Sequence, residues 1–215
     1  LVVKRYVVYV YPRCHRVLHY SASLASSDVR AAAAAGVAAL LAQSAVNAGF
    51  SLAVWHCGEK LEKEERAPFP LEWSHCDFAA ETSPGEVFDS FAGGFQFRGI
   101  RFAVTDLLWA EEPRRFLRRL ADGALRTVVI QLLTREEQFP SVSGNVSLID
   151  AESGEERELM VDESILARYR ERFVRHQELW SRAAGEFGIR LIRLTVEEFY
   201  PSWDLRELFR CGVLK

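Results

Sequence analysis

Arg16-Val17-Leu18-His19-Tyr20-Ser21-Ala22-Ser23-Leu24 is an apolar run that stops at two serines spaced i, i+2, and an alanine-rich run opens a few residues later at Asp28. Strand, polar loop and helix in that order are the unit of an open α/β sheet, which presents its ligands beyond the carboxyl ends of the strands. Two hydroxyls at that edge can serve a cation, a phosphate or the backbone. His19, two residues before the first serine, makes the choice difficult.

Working outward, residues 29–48 are helical by propensity, with Asp28 as the expected N-cap and Asn47-Ala48-Gly49 as the stop. Gly36 inside that run either weakens the helix or lets a neighbour pack closely. Phe50–Trp55 reads as a short strand covered on both faces. Residues 58–80 carry a charge cluster and two prolines and read as an irregular, solvated loop. A short helix is expected over 82–92, with Thr82 or Ser83 as its cap and Pro84 in the first turn. Gly99–Leu108 is the next strand, and Asp106 stands where it gives way to a loop. Pro113 opens the following helix, and Gly123 lies just past its end. Its arginines 114, 115, 118 and 119 read as a solvated face rather than a binding patch.

Thr127–Leu133 reads as a central strand. Residues 145–149 and 156–161 flank a glycine-containing turn and form a hairpin. The longest helix starts near Asp162, with Ile165, Leu166, Tyr169, Phe173, Trp180, Ala183 and Phe187 at three- and four-residue steps. His176 falls on that stripe and reads as a core histidine. A last strand at 189–194 and a short helix at 204–209 complete an α/β fold. The expected architecture is a doubly wound, mostly parallel sheet with helices on both faces, plus a small β-hairpin. Residues 1–12 read as an edge strand or the end of a preceding module, and 13–215 as the α/β domain. Because the chain opens on Leu1, it is expected to belong to something longer.

The 215 residues are enough to bury a full core, and 49% apolar with 27% charged residues is ordinary globular composition. A net charge of −3 gives no basic footprint for nucleic acid. No apolar run reads as a membrane helix, and no signal peptide is evident. The four cysteines lack the spacing of a secreted disulfide framework, so a reducing, cytoplasmic setting is expected. His56-Cys57 and His75-Cys76 repeat a pair that could in principle serve zinc. Neighbours on a strand point to opposite faces, which argues against it.

RVLHYSASL followed by its alanine-rich helix resembles the first strand of a von Willebrand factor A domain. LVVKRY, GIRFAVTDLL, LIDAESGEERELMVDE and ARYRERFVRHQELWSRAAGEFGIRLIRL are similar to a bacterial group, domain of unknown function family 58. The resemblance implies a metal-ion-dependent adhesion site for Mg²⁺ or Mn²⁺, built from Asp-x-Ser-x-Ser, a distant threonine and a later aspartate. Ser21 and Ser23 match the serines, Thr82 the threonine and Asp106 the later aspartate. His19 stands where the family carries its first aspartate. A hard dication wants oxygen ligands and negative charge, so the site is expected to be degenerate and to hold no cofactor.

The resemblance further implies a protein-interaction module working with a MoxR-type AAA+ ATPase in assembly or maturation of other proteins. Members are often membrane-anchored through an upstream segment. A working Mg²⁺ or Mn²⁺ site despite His19 is the first alternative. A serine hydrolase using His19, Ser21 and Asp106 is the second. Against it, His19 and Ser21 share one segment, and there is neither a Gly-x-Ser-x-Gly elbow nor a glycine-rich phosphate loop. A plainer possibility is that Ser21 and Ser23 only cap the helix. Convergence of Ser21, Ser23 and Asp106 separates the two readings.

Overall fold

The computed structural model describes residues 13–25, 27–64, 80–91, 93–150 and 154–214. Expectations for residues 1–12, for 65–79 with His75 and Cys76, and for 151–153 in the hairpin turn lie outside the described residues. Among the described residues there are eight strands: β1 (Arg13–His19), β2 (Ser51–Cys57), β3 (Leu61–Lys63), β4 (Ile100–Thr105), β5 (Arg126–Leu133), β6 (Gly144–Ile149), β7 (Glu156–Val161) and β8 (Arg190–Thr195). The helices among them are α1 (Asp28–Asn47), α2 (Pro84–Ser90), α3 (Pro113–Ala121), α4 (Arg135–Gln138), α5 (Glu163–Glu186), α6 (Val196–Phe199) and α7 (Arg206–Arg210), with a 3₁₀ turn at Ser23–Ala25.

Six strands form one sheet in the order β3-β2-β1-β4-β5-β8, and β6 and β7 pair separately as an antiparallel hairpin. All neighbours in the large sheet run parallel except β3, which runs antiparallel to β2. The order reverses direction between β1 and β4. In a doubly wound sheet that switch point is where helices diverge to opposite faces and leave a crevice at the carboxyl edge.

Strand alternation sorts β1 between two cores. Cys14, Leu18 and Tyr20 enter one with α1, α6 and α7, through Ala33, Ala34, Val37, Leu41, Phe199 and Leu208. Val17 enters the other with α2, α3 and α5, through Phe88, Phe116, Leu120 and Trp180. The same alternation sends His19 to the second face, beside Cys57 and in register with the end of β4.

Several local expectations are corrected. Ser27 caps α1, its hydroxyl accepting from the Arg30 N–H at 3.2 Å, and Asp28 is the first helical residue. Of the two caps expected for α2, Thr82 or Ser83, it is Ser83 that serves. The charge-rich stretch after Cys57 is not wholly irregular. Leu61–Lys63 adds to the sheet as β3 because β2 supplies the main-chain partners.

α1 is also long and apolar enough, by length and composition, to cross a membrane, contrary to expectation. Its alanines supply that character, and here the same face is buried on the sheet.

α5 departs furthest from its sequence pattern. Only Trp180, Ala183 and Ala184 are buried, while Tyr169 and Val174 are exposed. Its 24 residues span about 36 Å at 1.5 Å each. β8, with six residues, covers about 20 Å. The first turns must therefore overhang the sheet, and they do so beside the hairpin at the carboxyl edge. Leu148, Ile149 and Met160 of that hairpin are exposed as well. The arginines of α3 form the solvated face expected, Arg114 pairing with Glu186 and Arg115 with Asp89.

Candidate functional site

The chain leaves β1 at His19 and immediately forms a parallel bridge between Ser21 and Ala80. Ser21 is 1% exposed, and its carbonyl and hydroxyl both accept from the Leu24 N–H, which closes the 3₁₀ turn. That turn aims the Ser23 hydroxyl inward. Ser23 Oγ lies 2.9 Å from Ser21 Oγ and 2.5 Å from Asp106 Oδ2. The two serines and the aspartate therefore converge at the switch point, and it is Ser27, not either of them, that caps α1.

Asp106 is 1% exposed and is held from several sides. Its Oδ1 accepts from the Leu108 N–H at 3.4 Å, and its carbonyl accepts from Gln131 Nε2 at 2.8 Å. The countercharge is Arg30, also 1% exposed, whose Nη2 stands 3.4 Å from Asp106 Oδ2. Arg30 Nη1 donates to the Ser23 carbonyl at 3.0 Å and to Glu137 Oε1 at 2.5 Å, and Nη2 reaches the Leu132 carbonyl at 3.4 Å. Glu137 is itself fixed by a capping box at the start of α4, with its other oxygen on the Thr134 N–H at 2.8 Å.

Sequence reasoning missed Arg30. The available signal was its isolation, as the one charged side chain between Val29 and Asn47 in an otherwise apolar run.

His19 is 5% exposed. Its Nδ1 lies 3.2 Å from Thr105 Oγ1, and its ring packs edge-on against Trp109 with centroids 5.4 Å apart. Nε2 is buried without a hydrogen-bond partner among the described residues. Burial holds the imidazole neutral and pushes its pKa down to about 4, although Asp106 pulls the other way.

The loop that follows is tensioned. Leu107, fully buried, sits at φ 55°, in the left-handed region that side-chain-bearing residues rarely adopt. His176 Nε2 donates to its carbonyl at 2.6 Å. The expected core histidine thus braces the site loop from α5.

Thr82 is not brought into this cluster. It follows Ala80 closely along the same edge, but its hydroxyl donates to Glu59 Oε2. Glu59 Oε1 also takes the N–H groups of Glu81 and Thr82, at 2.7 and 3.2 Å. Cys57 is buried against the core, where desolvation raises its thiol pKa, and His56 Nδ1 contacts Tyr20 Oη at 2.5 Å. That geometry separates the pair His56-Cys57 as strand alternation requires.

The donor set does not fit a hard dication. One carboxylate already holds a guanidinium, the residue in the first aspartate's place is a neutral imidazole, and the threonine hydroxyl is turned to Glu59. Among the described residues no three His, Cys, Asp or Glu side chains gather as a metal set.

No family model matches the chain, and no curated protein sequence matches it. Among solved structures it is similar to the conserved hypothetical protein BatB from Bacteroides thetaiotaomicron, at 13% identity and a TM-score of 0.45 over 86% of this chain and 90% of that one. An aerotolerance-related membrane protein from Bacteroides fragilis is similar at 12% identity and a TM-score of 0.49, over 94% and 98%. At these values the likeness is one of chain path, and the functional reading stands on the geometry of the site.

Proposed function

We propose that this chain is a protein-interaction module of the von Willebrand factor A type, without catalytic activity, and that its carboxyl-edge site works without a divalent metal. By the resemblance of its sequence, the partner is a MoxR-type AAA+ ATPase in a bacterial cytoplasm, and the task is assembly or maturation of other proteins. One observation carries the reading. At the switch point, Ser21, Ser23, Asp106, Arg30 and Glu137 spend their polar groups on one another.

This pattern speaks against hydrolysis, because a nucleophile needs a base within hydrogen-bond reach. Here Ser23 donates to a carboxylate paired with arginine, and the histidine is turned to Thr105. The exposed Leu148, Ile149 and Met160 of the hairpin offer apolar surface of the kind that partners cover.

The test is binding of the purified, nucleotide-free ATPase to this domain in EDTA and in Mg²⁺. Equal affinity in both, lost at least tenfold in an Ile149→Glu/Met160→Glu variant, is the expected result. Affinity that collapses in EDTA supports the metal-dependent reading, which the convergence of Ser21, Ser23 and Asp106 favours. Ester hydrolysis abolished by Ser21→Ala overturns the non-catalytic reading.

A further inference from the structure

We infer that Arg30 is a built-in cation occupying the role that a bound dication would otherwise have at this edge. The inference rests on the interaction-module reading only for what the site is for. Every charge involved belongs to this chain, with none drawn from a partner.

An arginine in the first turn of α1 stands at the positive end of a 20-residue helix, where a cation is disfavoured. It is also almost wholly buried, and a buried guanidinium is costly unless fully paired. Nothing in the packing of an alanine-rich helix asks for it. What repays it is a ring of oxygens: the Ser23 carbonyl, Asp106 Oδ2, the Leu132 carbonyl and Glu137 Oε1. These come from the loop after β1, the loop after β4, the end of β5 and α4. Gathering oxygens from separate loops around one positive centre is how a protein holds a hard cation. Here the centre is tethered to α1.

The substitution at His19 fits the same logic. Two carboxylates and a dication sum to zero, and so do one carboxylate and one guanidinium. Replacing the first aspartate by a neutral imidazole and adding Arg30 keeps Asp106 neutralised with no ion from solution. Glu137, at the partly exposed rim, is the one further acid in the network. Nor is there electrostatic room for both cations. A metal bound to Asp106 Oδ2 at about 2.1 Å would lie within about 5.5 Å of Arg30 Nη2, by addition to the 3.4 Å contact. At that separation the two positive charges repel strongly in a buried site.

The experiment is a Mn²⁺ titration of the wild-type chain, His19→Asp, and the double variant His19→Asp/Arg30→Leu. It is followed by thermal unfolding and by the electron-spin signal of free Mn²⁺. The wild type and His19→Asp are expected to show no binding at millimolar Mn²⁺ and the same melting temperature as in EDTA. The double variant is expected to bind Mn²⁺ and to gain about 5–10 °C at saturation. Adding Asp106→Ala to it should abolish both effects.

Mn²⁺ binding by the wild type or by His19→Asp that is lost with Asp106→Ala overturns the inference, since Arg30 would then not exclude the ion. A folded double variant without Mn²⁺ binding overturns it too. If the double variant folds only with Mn²⁺, the inference stands. If it folds in neither buffer, the His19→Asp arm still decides. None of these outcomes depends on the ATPase, so failure of the partner assignment is read separately.

Discussion

Replacing His19 by Asn should reduce the acid sensitivity of this protein between about pH 5 and 6.5. In the unfolded chain a histidine titrates near 6.5. In the fold, burial pushes His19 down to about 4. Between those values the unfolded state binds a proton that the folded state refuses, so stability is complete above the unfolded pKa and falls as the pH drops.

The displacement from about 6.5 to about 4 corresponds to roughly 3 kcal/mol. His15, 2% exposed, is depressed to about 4 as well, first by burial and then by Arg101, Arg13 and Lys63. Near pH 5.5 each of the two contributes a slope of roughly 1 kcal/mol per pH unit, and His56, also lowered by burial, acts in the same direction. Asn at position 19 has no proton to gain and can still meet the Thr105 hydroxyl, so the slope should fall by roughly 1 kcal/mol per pH unit whatever the variant's stability at neutral pH. Urea unfolding at half-unit intervals from pH 5 to 7.5 reads this directly. An unchanged slope in His19→Asn would refute the claim that the fold holds His19 as a neutral, buried imidazole.

Two further predictions concern packing. Trp180 is fully buried and edge-on to Trp109, with centroids 5.1 Å apart, so Trp180→Ala should cost about 3–5 kcal/mol in chemical unfolding. A loss below about 1 kcal/mol would mean that α5 is not anchored there. A Cβ on Gly36 would lie 2.0 Å from Trp203 Cη2. Gly36→Ala should therefore cost about 1–3 kcal/mol despite the better helix propensity of alanine, and Trp203→Ala should remove most of that cost in a double-mutant cycle. A stabilising Gly36→Ala would show that the ring moves freely.

Much of this fold was legible from local signals. The apolar run ending at Ser21 and Ser23, Pro84 and Pro113 in first turns, and Gly188 after α5 each act within a few residues, and the structure keeps all of them. What failed were readings in which a neighbour decides. β3 has one buried residue, Leu61, and exists because β2 offers an open edge. The stripe on α5 is real, but the helix outruns the sheet beneath it, and periodicity does not report where a sheet ends. At the site, Ser21, Ser23 and Asp106 were legible as polar residues at strand ends, which is a property of topology. The orientation of Thr82 toward Glu59 was not, because it depends on how the loop after β2 folds back.

The sequence by itself determined the alternation of strands and helices, and with it the carboxyl edge on which any site must lie. Hydrophobic period, caps and turn residues act at short range and need no knowledge of the fold. Only the tertiary structure decided what that edge contains. Arg30 and Asp106 are 76 residues apart, and Arg30 and Glu137 are 107 apart. Their meeting depends on the order in which the strands pair. That order sets β1 beside β4 and β4 beside β5, and so brings a lone arginine on an alanine-rich helix against Asp106 and Glu137.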